Sequence, residues 1–194
     1  MRNPRQILWT FLILVVAAGA WYAKRPKPVT PVLRQAAGSG RVTEENHYSP
    51  AENLEQFDRA EIDAARQSLD IAMYAFTDRY LAEAILQAAQ RGVQVRLYRD
   101  HGQYDDEQGR RDSTTAMLQG QANIHIRVKH PRELMHLKAF CVDGTVLRDG
   151  SANWSPSGMK RQDNNAHFTT DPRQVQVFRQ TFESMWSREN DVVQ

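Results

Sequence analysis

Residues 69–76 are almost continuously apolar, the pattern of a strand buried on both faces. Residues 78–91 follow with Ala and Leu at helical spacing and stop at Gly92, a residue suited to the left-handed turn that ends a helix. Val93, Val95 and Leu97 then alternate with polar neighbours, which predicts a half-buried strand. The alternation returns at Ile124, Ile126 and Val128, set between His125, Arg127 and Lys129. Residues 134–142 read as another strand, Asp143-Gly144 as a hairpin turn, and Val146 and Leu147 as the return. Before this body, Ser49-Pro50-Ala51-Glu52 predicts a helix start, with Ser49 as cap and Pro50 in the first turn, running to about residue 67. Residues 101–112 are polar and read as a surface loop, after which Ser113 caps a short helix ending at Gly120. Asp171 and Pro172 open the last helix, whose stripe of Val175, Phe178, Phe182, Met185 and Trp186 is core packing. Strands alternating with helices imply a layered α/β domain.

The first residues do not belong to that domain. Residues 7–23 are almost continuously apolar, preceded by Arg2 and Arg5 and followed by Lys24, Arg25 and Lys27. Their length lies at the short edge of what spans a bilayer. Two readings stand: an export signal cleaved after Ala18-Gly19-Ala20, or a retained anchor with Trp21 and Tyr22 at the interface. The large residues after Ala20 and the basic run after Ala23 favour the anchor. Pro26, Pro28 and Pro31, then Gly38-Ser39-Gly40, make residues 24–45 a linker. The expected organisation is therefore residues 1–23 as anchor or signal, 24–45 as linker and 46–190 as the catalytic domain.

Composition changes this picture little. There is 1 cysteine, Cys141, so neither a disulfide framework nor a cysteine-based zinc site is available. Outside the first 23 residues the Lys and Arg equal the Asp and Glu in number, so bulk charge does not argue for nucleic acid.

The chemistry lies in Met135-His136-Leu137-Lys138, Asp143 and Gly150-Ser151-Ala152-Asn153. On a strand, positions i and i+2 share a face, so His136 and Lys138 are expected to project together while Leu137 points into the core. An imidazole beside an ammonium suits a phosphate anion, and Lys138 supplies charge that gains value as a phosphorane forms. Ser151 and Asn153, following Gly150, are candidates to donate hydrogen bonds to the non-bridging oxygens. Asp143 reads as structural, since the hairpin turn explains it. Each fragment alone is weak: a lone histidine, a solvated lysine and a Gly-Ser turn are common. Their order and spacing together are not.

That spacing, His-x-Lys-x4-Asp-x6-Gly-Ser-x-Asn, matches the HKD signature of the phospholipase D superfamily at His136, Lys138, Asp143, Gly150, Ser151 and Asn153. Residues 68–78 and 91–96 also resemble that family's first strand, helix and second strand. The resemblance covers roughly residues 48–186. It is nearest to the small single-motif members: bacterial EDTA-resistant endonucleases and mitochondrial phospholipase D-like proteins. It implies a layered α-β-α sandwich around a mixed sheet, here preceded by the N-terminal hydrophobic helix. It implies His136 as the nucleophile that forms a phosphohistidine, with a second histidine protonating the leaving alcohol. No cofactor and no metal are implied. One motif per chain implies a homodimer with a shared active site, since His47, His101, His125, His130 and His167 lack the motif. One position departs from the family. Small members carry a glutamate that orients the nucleophile; here that position is Asn164, within Gln162-Asp163-Asn164-Asn165. Asn164 is the histidine-orienting candidate, with Asp163 as the substitute.

The expected function is a metal-independent phosphodiesterase, first an endonuclease on DNA or RNA. Arg127, Lys129, His130 and Arg132, with Arg96 and Arg99, are candidates to line a groove for a polyanion. A phospholipase D acting on lipid headgroups is the second reading, since residues 7–23 would hold it at a membrane. An inactive phosphate- or lipid-binding module is the third. The expected place is the bacterial inner membrane facing the periplasm, or the periplasm itself.

Overall fold

A computed structural model describes residues 29–37, 41–110, 112–130, 133–188 and 190–193. The expected hydrophobic helix over residues 7–23 lies outside them. Among the described residues no helix is long and apolar enough to cross a membrane.

The elements are α1 (Val32–Ala37), β1 (Glu44–Ser49), α2 (Leu54–Ala64), β2 (Ser68–Met73), α3 (Arg79–Gln90), β3 (Gln94–Arg99), α4 (His101–Glu107), α5 (Thr114–Leu118), β4 (Ile124–Lys129), β5 (Lys138–Val142), β6 (Val146–Gly150), α6 (Pro156–Lys160), β7 (Asn164–Thr169), α7 (Pro172–Trp186) and β8 (Asn190–Val193). The strands form one mixed sheet in the order β1-β7-β6-β5-β2-β3-β4-β8. The β2–β3 and β3–β4 pairs are parallel; the other pairs are antiparallel. Central strand β2 shows why two helical layers are needed. Leu69, Ile71 and Met73 face one core, with Leu54 and Ile62 of α2 and Leu81 and Ile85 of α3. Ala72 faces the other, with Tyr98, Cys141 and Leu147 under Val175, Phe178, Phe182 and Met185 of α7. The expected α-β-α layering and mixed sheet are present.

Where local chemistry dictates an element, the expectation holds. Asp78 caps α3 by accepting the N–H of Tyr80 and Leu81, and Gly92 follows at φ +95°. Ser113 caps α5, and Asp143 and Gly144, at φ 52° and 65°, make the turn between β5 and β6.

Four expectations are corrected. Ser49 starts no helix. It ends β1, which pairs with β7, and its hydroxyl donates to the Gln162 carbonyl at 2.7 Å. Asn53 caps α2 instead, accepting from the Glu55 N–H. The stretch read as a linker contains α1, whose Val32 is buried and whose N–H groups meet the Glu61 carboxylate. Burial pushes that carboxyl up to about 7. The polar loop is largely α4, capped by Asp100, because its Glu107 points inward to bind Arg99 at 2.6 Å. Residues 134–137 are not strand; β5 begins at Lys138. Strands β1, β7 and β8 and helix α6 have no counterpart among the expected elements.

One polar network crosses the first core. Asp58 of α2 accepts from Arg148 Nε of β6 at 3.0 Å and from the Trp154 indole at 2.6 Å. Asp58, Arg148 and Trp154 are all fully buried. Desolvation pushes the Asp58 carboxyl up, and the charge of Arg148 opposes it. Arg148 also donates to the Lys138 carbonyl at 2.9 Å, so the network reaches the first residue of β5. Removing one partner would strand a buried charge. Asp58→Ala is therefore expected to cost about 3–5 kcal/mol of stability, measured by urea unfolding. A loss under about 1 kcal/mol would mean that water solvates Arg148.

Candidate functional site

The sequence-predicted residues gather around the stretch that continues β2 beyond Met73. Met73 pairs with Lys138, and the Tyr74 N–H donates to the Leu137 carbonyl at 2.9 Å. Upstream, the Met135 N–H donates to the Asp100 carboxylate at 2.9 Å. Buried Asp100 thus fixes the start of the loop that carries His136, while its other oxygen caps α4.

His136 is exposed. Its imidazole sits edge-on to the Tyr74 ring, with centroids 4.6 Å apart. Lys138 is only 7 % exposed, and its ammonium donates to the His136 carbonyl at 2.7 Å. The same ammonium lies 4.8 Å from the Tyr74 ring centroid. Burial pulls the lysine pKa down. His136 and Lys138 therefore do share a side, but not because both lie on a strand: they meet at Tyr74. Leu137, expected in the core, is 40 % exposed, while Met135 is buried. Strand alternation does not extend before Lys138, so parity could not place these side chains.

The Gly-Ser-x-Asn segment is stitched to the same stretch. Gly150 has φ +145°, and a Cβ there would lie 2.4 Å from the Asn165 carbonyl oxygen, so only glycine fits. The Ser151 N–H donates to the Asn165 side-chain oxygen at 3.0 Å. Asn153 Oδ1 accepts the Ala75 N–H at 3.3 Å, which leaves its amide hydrogens for a ligand. The Trp154 carbonyl accepts the N–H of Thr77 and Asp78. Burial beside Glu55 pushes the Asp78 carboxyl up to about 6.

Ser151 and Asn164 need a different account from the expected one. The Ser151 hydroxyl donates its single hydrogen to Asn164 Oδ1 at 2.9 Å and accepts the Asn165 N–H at 3.0 Å. The Asn164 amide donates to the Gly158 carbonyl at 3.0 Å. Asn164 thus serves Ser151 and α6, and makes no hydrogen bond to His136. Among the described residues the His136 ring nitrogens have no hydrogen-bond partner. Asp143 lies at the far end of β5, where its carboxylate accepts the N–H of Arg66, Gln67 and Ser68.

Most of the arginines expected to line a groove are engaged internally. Arg96 binds Asp70 through two nitrogens and also Glu183. Arg99 is fully buried on Glu107 and Thr115. Arg127 stacks on Trp186 and donates to its carbonyl. Lys129 reaches the Leu134 carbonyl at 3.2 Å, His130 is exposed, and Arg132 lies outside the described residues. Of the other histidines, His47, His101 and His167 contact carboxylates. Among the described residues no group of three or more His, Cys, Asp or Glu could hold a metal ion. Tyr74 lies within the apolar run of residues 69–76, where the pattern predicts only a strand. Its role lies in contacts that spacing does not encode.

Comparison with known proteins agrees with this architecture. The family model described as "Cardiolipin synthase, PLD-like domain" matches residues 59–186. Human mitochondrial cardiolipin hydrolase is 34 % identical over 127 residues, covering 66 % of this chain and 48 % of that protein. Its Drosophila melanogaster counterpart is 30 % identical over 146 residues, covering 65 % and 56 %. The chain thus spans about half the length of these relatives. Among solved structures, NucT from Helicobacter pylori matches with a TM-score of 0.69 and 23 % identity, covering 79 % of this chain and 99 % of that one. Nuc from Salmonella typhimurium, a phospholipase D family member, matches with a TM-score of 0.70, the same 23 % identity and the same coverage. At that identity the structures speak for the fold.

The hydrogen bonds of Asn164 set its expected behaviour. Asn164→Asp would replace the amide that donates to Gly158 with a carboxylate and add negative charge beside Ser151. A loss of about 1–3 kcal/mol in stability is expected, with weaker inorganic phosphate binding, by thermal melting and titration. A faster chemical step with unchanged phosphate affinity would instead place Asn164 on His136.

Proposed function

This chain belongs to the phospholipase D superfamily through its PLD-like domain, and on that premise we propose that it is a metal-independent phosphodiesterase that cleaves phospholipid headgroup esters. The observation that carries the chemistry is the grouping of His136, Lys138 and Asn153 around residues 74–75. A ring nitrogen of His136 attacks phosphorus. The P–O bond to the leaving alcohol breaks, and that oxygen takes a proton from a second imidazole. Water then attacks the phosphohistidine, giving its proton to the same second imidazole, and His136 leaves. Lys138 and the Asn153 amide hydrogens hold the non-bridging oxygens as their charge grows. Ser151, whose one hydrogen is engaged by Asn164, shapes the loop.

The second imidazole comes from a second copy of the chain. In this reading a homodimer shares one site across its two-fold axis. The solvent exposure of His136 supports this reading. The segment at residues 7–23 serves as the membrane anchor, with the catalytic domain on the periplasmic side of a bacterial inner membrane.

Two features favour lipid over nucleic acid. Arg96, Arg99 and Arg127 have internal partners, which removes most of the polyanion groove. Leu134 and Leu137, 65 % and 40 % exposed, flank His136 with apolar surface. The names of the 34 % and 30 % identical relatives point the same way. A nuclease is the second reading, favoured by the openness of His136 and by Lys129 and exposed His130 upstream.

Full-length protein in detergent, incubated with anionic phospholipid vesicles, single-stranded DNA and RNA in excess EDTA, tests both readings. Headgroup release that survives chelation is expected. Cleavage of nucleic acid alone would transfer the assignment to the second reading. Activity abolished by EDTA and restored by magnesium would overturn the histidine nucleophile. For the dimer, mixing His136→Asn chains with wild type should lower activity more steeply than dilution, because each mixed dimer lacks one histidine. A fully active monomer in sedimentation would rule out the shared site.

A further inference from the structure

The Tyr74 ring touches both reactive groups of the motif, His136 and Lys138. Its backbone is fixed: the N–H bonds the Leu137 carbonyl at 2.9 Å, one residue after His136 and one before Lys138. The residue is half-buried. The imidazole of His136 meets it at 4.6 Å with planes inclined at 61°, an edge-on arrangement favoured by the ring quadrupole. The Lys138 ammonium lies 4.8 Å from the ring centroid, within cation–π range.

The absence of competing holders makes these contacts matter. The His136 ring has no hydrogen-bond partner among the described residues, and Asn164 is engaged by Ser151 and Gly158. An exposed imidazole without such a partner is free to sample several rotamers, whereas attack on a phosphate held by Lys138 requires a ring nitrogen held in line with phosphorus. The geometry points to Tyr74 as a positioning residue, whose aromatic ring sets the rotamer of His136 and its separation from the Lys138 ammonium. This rests on the phosphodiesterase reading for its kinetic consequence, though not for its structural one. Tyr74 touches no reacting atom in this account; it acts through His136 and Lys138. The ring and not the hydroxyl carries the role, since both contacts are to the ring.

Tyr74→Leu and Tyr74→Phe separate these possibilities in the full-length protein. Leucine keeps apolar bulk and removes the ring; phenylalanine removes only the hydroxyl. Tyr74→Leu is expected to lower kcat by ~10–100-fold while KM changes less than ~3-fold. Tyr74→Phe should recover kcat to within ~3-fold of wild type. The second readout needs no turnover: the imidazole proton resonances of His136, assigned by their loss in His136→Asn. Wild type and Tyr74→Phe should show the same ring-current displacement, and Tyr74→Leu should lose it. Unchanged kcat and unchanged imidazole resonances in Tyr74→Leu would overturn the proposal. So would equal loss of kcat in both variants, which would give the role to the hydroxyl. If wild type cleaves no phosphodiester, the phosphodiesterase reading fails alone and the resonances still decide on Tyr74.

Discussion

The ion pair between Asp58 and Arg148 is the constraint on which the site's framework depends. Both groups are fully buried, so each has lost its hydration, a cost of several kcal/mol per ion. That cost is offset only where all polar groups find partners. Here they do: Asp58 uses one oxygen for Arg148 and the other for the Trp154 indole, and Arg148 reaches the Lys138 and Ala152 carbonyls. Such a pair contributes little net stability compared with apolar packing. It contributes geometry. It fixes α2, the start of β5, the end of β6 and the loop after Gly150 relative to one another, and a displacement of any of them would leave charge unpaired in the core.

The stretch from Tyr74 to Asp78 turns that fixed framework into a site. It leaves the centre of the sheet and meets each half of the motif in turn. Tyr74 takes Leu137 by its backbone and His136 and Lys138 by its ring; Ala75 takes Asn153; Thr77 and Asp78 take the Trp154 carbonyl. The motif halves are separated in sequence by a hairpin whose turn lies at the far end of β5. They come together because the antiparallel hairpin returns its outer ends to the same edge, beside β2. Backbone bonds at the end of a central strand hold side chains more tightly than a free loop would.

Charge is distributed with the same economy. Arg96, Arg99 and Arg127, which look like a cationic surface in the sequence, are taken up by Asp70 and Glu183, by Glu107, and by Trp186. The site's own cation is Lys138. Its low exposure lowers its pKa, yet among the described residues it has no carboxylate partner to consume its charge, which leaves it suited to an incoming phosphate.

Much of the protein was legible from local patterns, because they follow local physics. Asp78, Ser113 and Asp171 cap helices through backbone groups two or three residues away, and Asp143-Gly144 turns the chain by its own dihedrals. The spacing from His136 to Asn153 is itself a local record of a hairpin, so the candidate site could be named without coordinates. What tertiary structure alone decided involves partners distant in the chain. Strands β1 and β7 carry few apolar residues and pair across more than a hundred positions, so no alternation marks either. Arg96 reads as surface until Asp70 and Glu183 are beside it, and α4 reads as loop until Glu107 is seen to point at Arg99. Asn164 stands where the family resemblance would have it serve His136, yet its amide is satisfied by Ser151 and Gly158. A polar side chain's role is set by the group that completes its hydrogen bonds, and the order of residues along a chain does not say which distant group that will be.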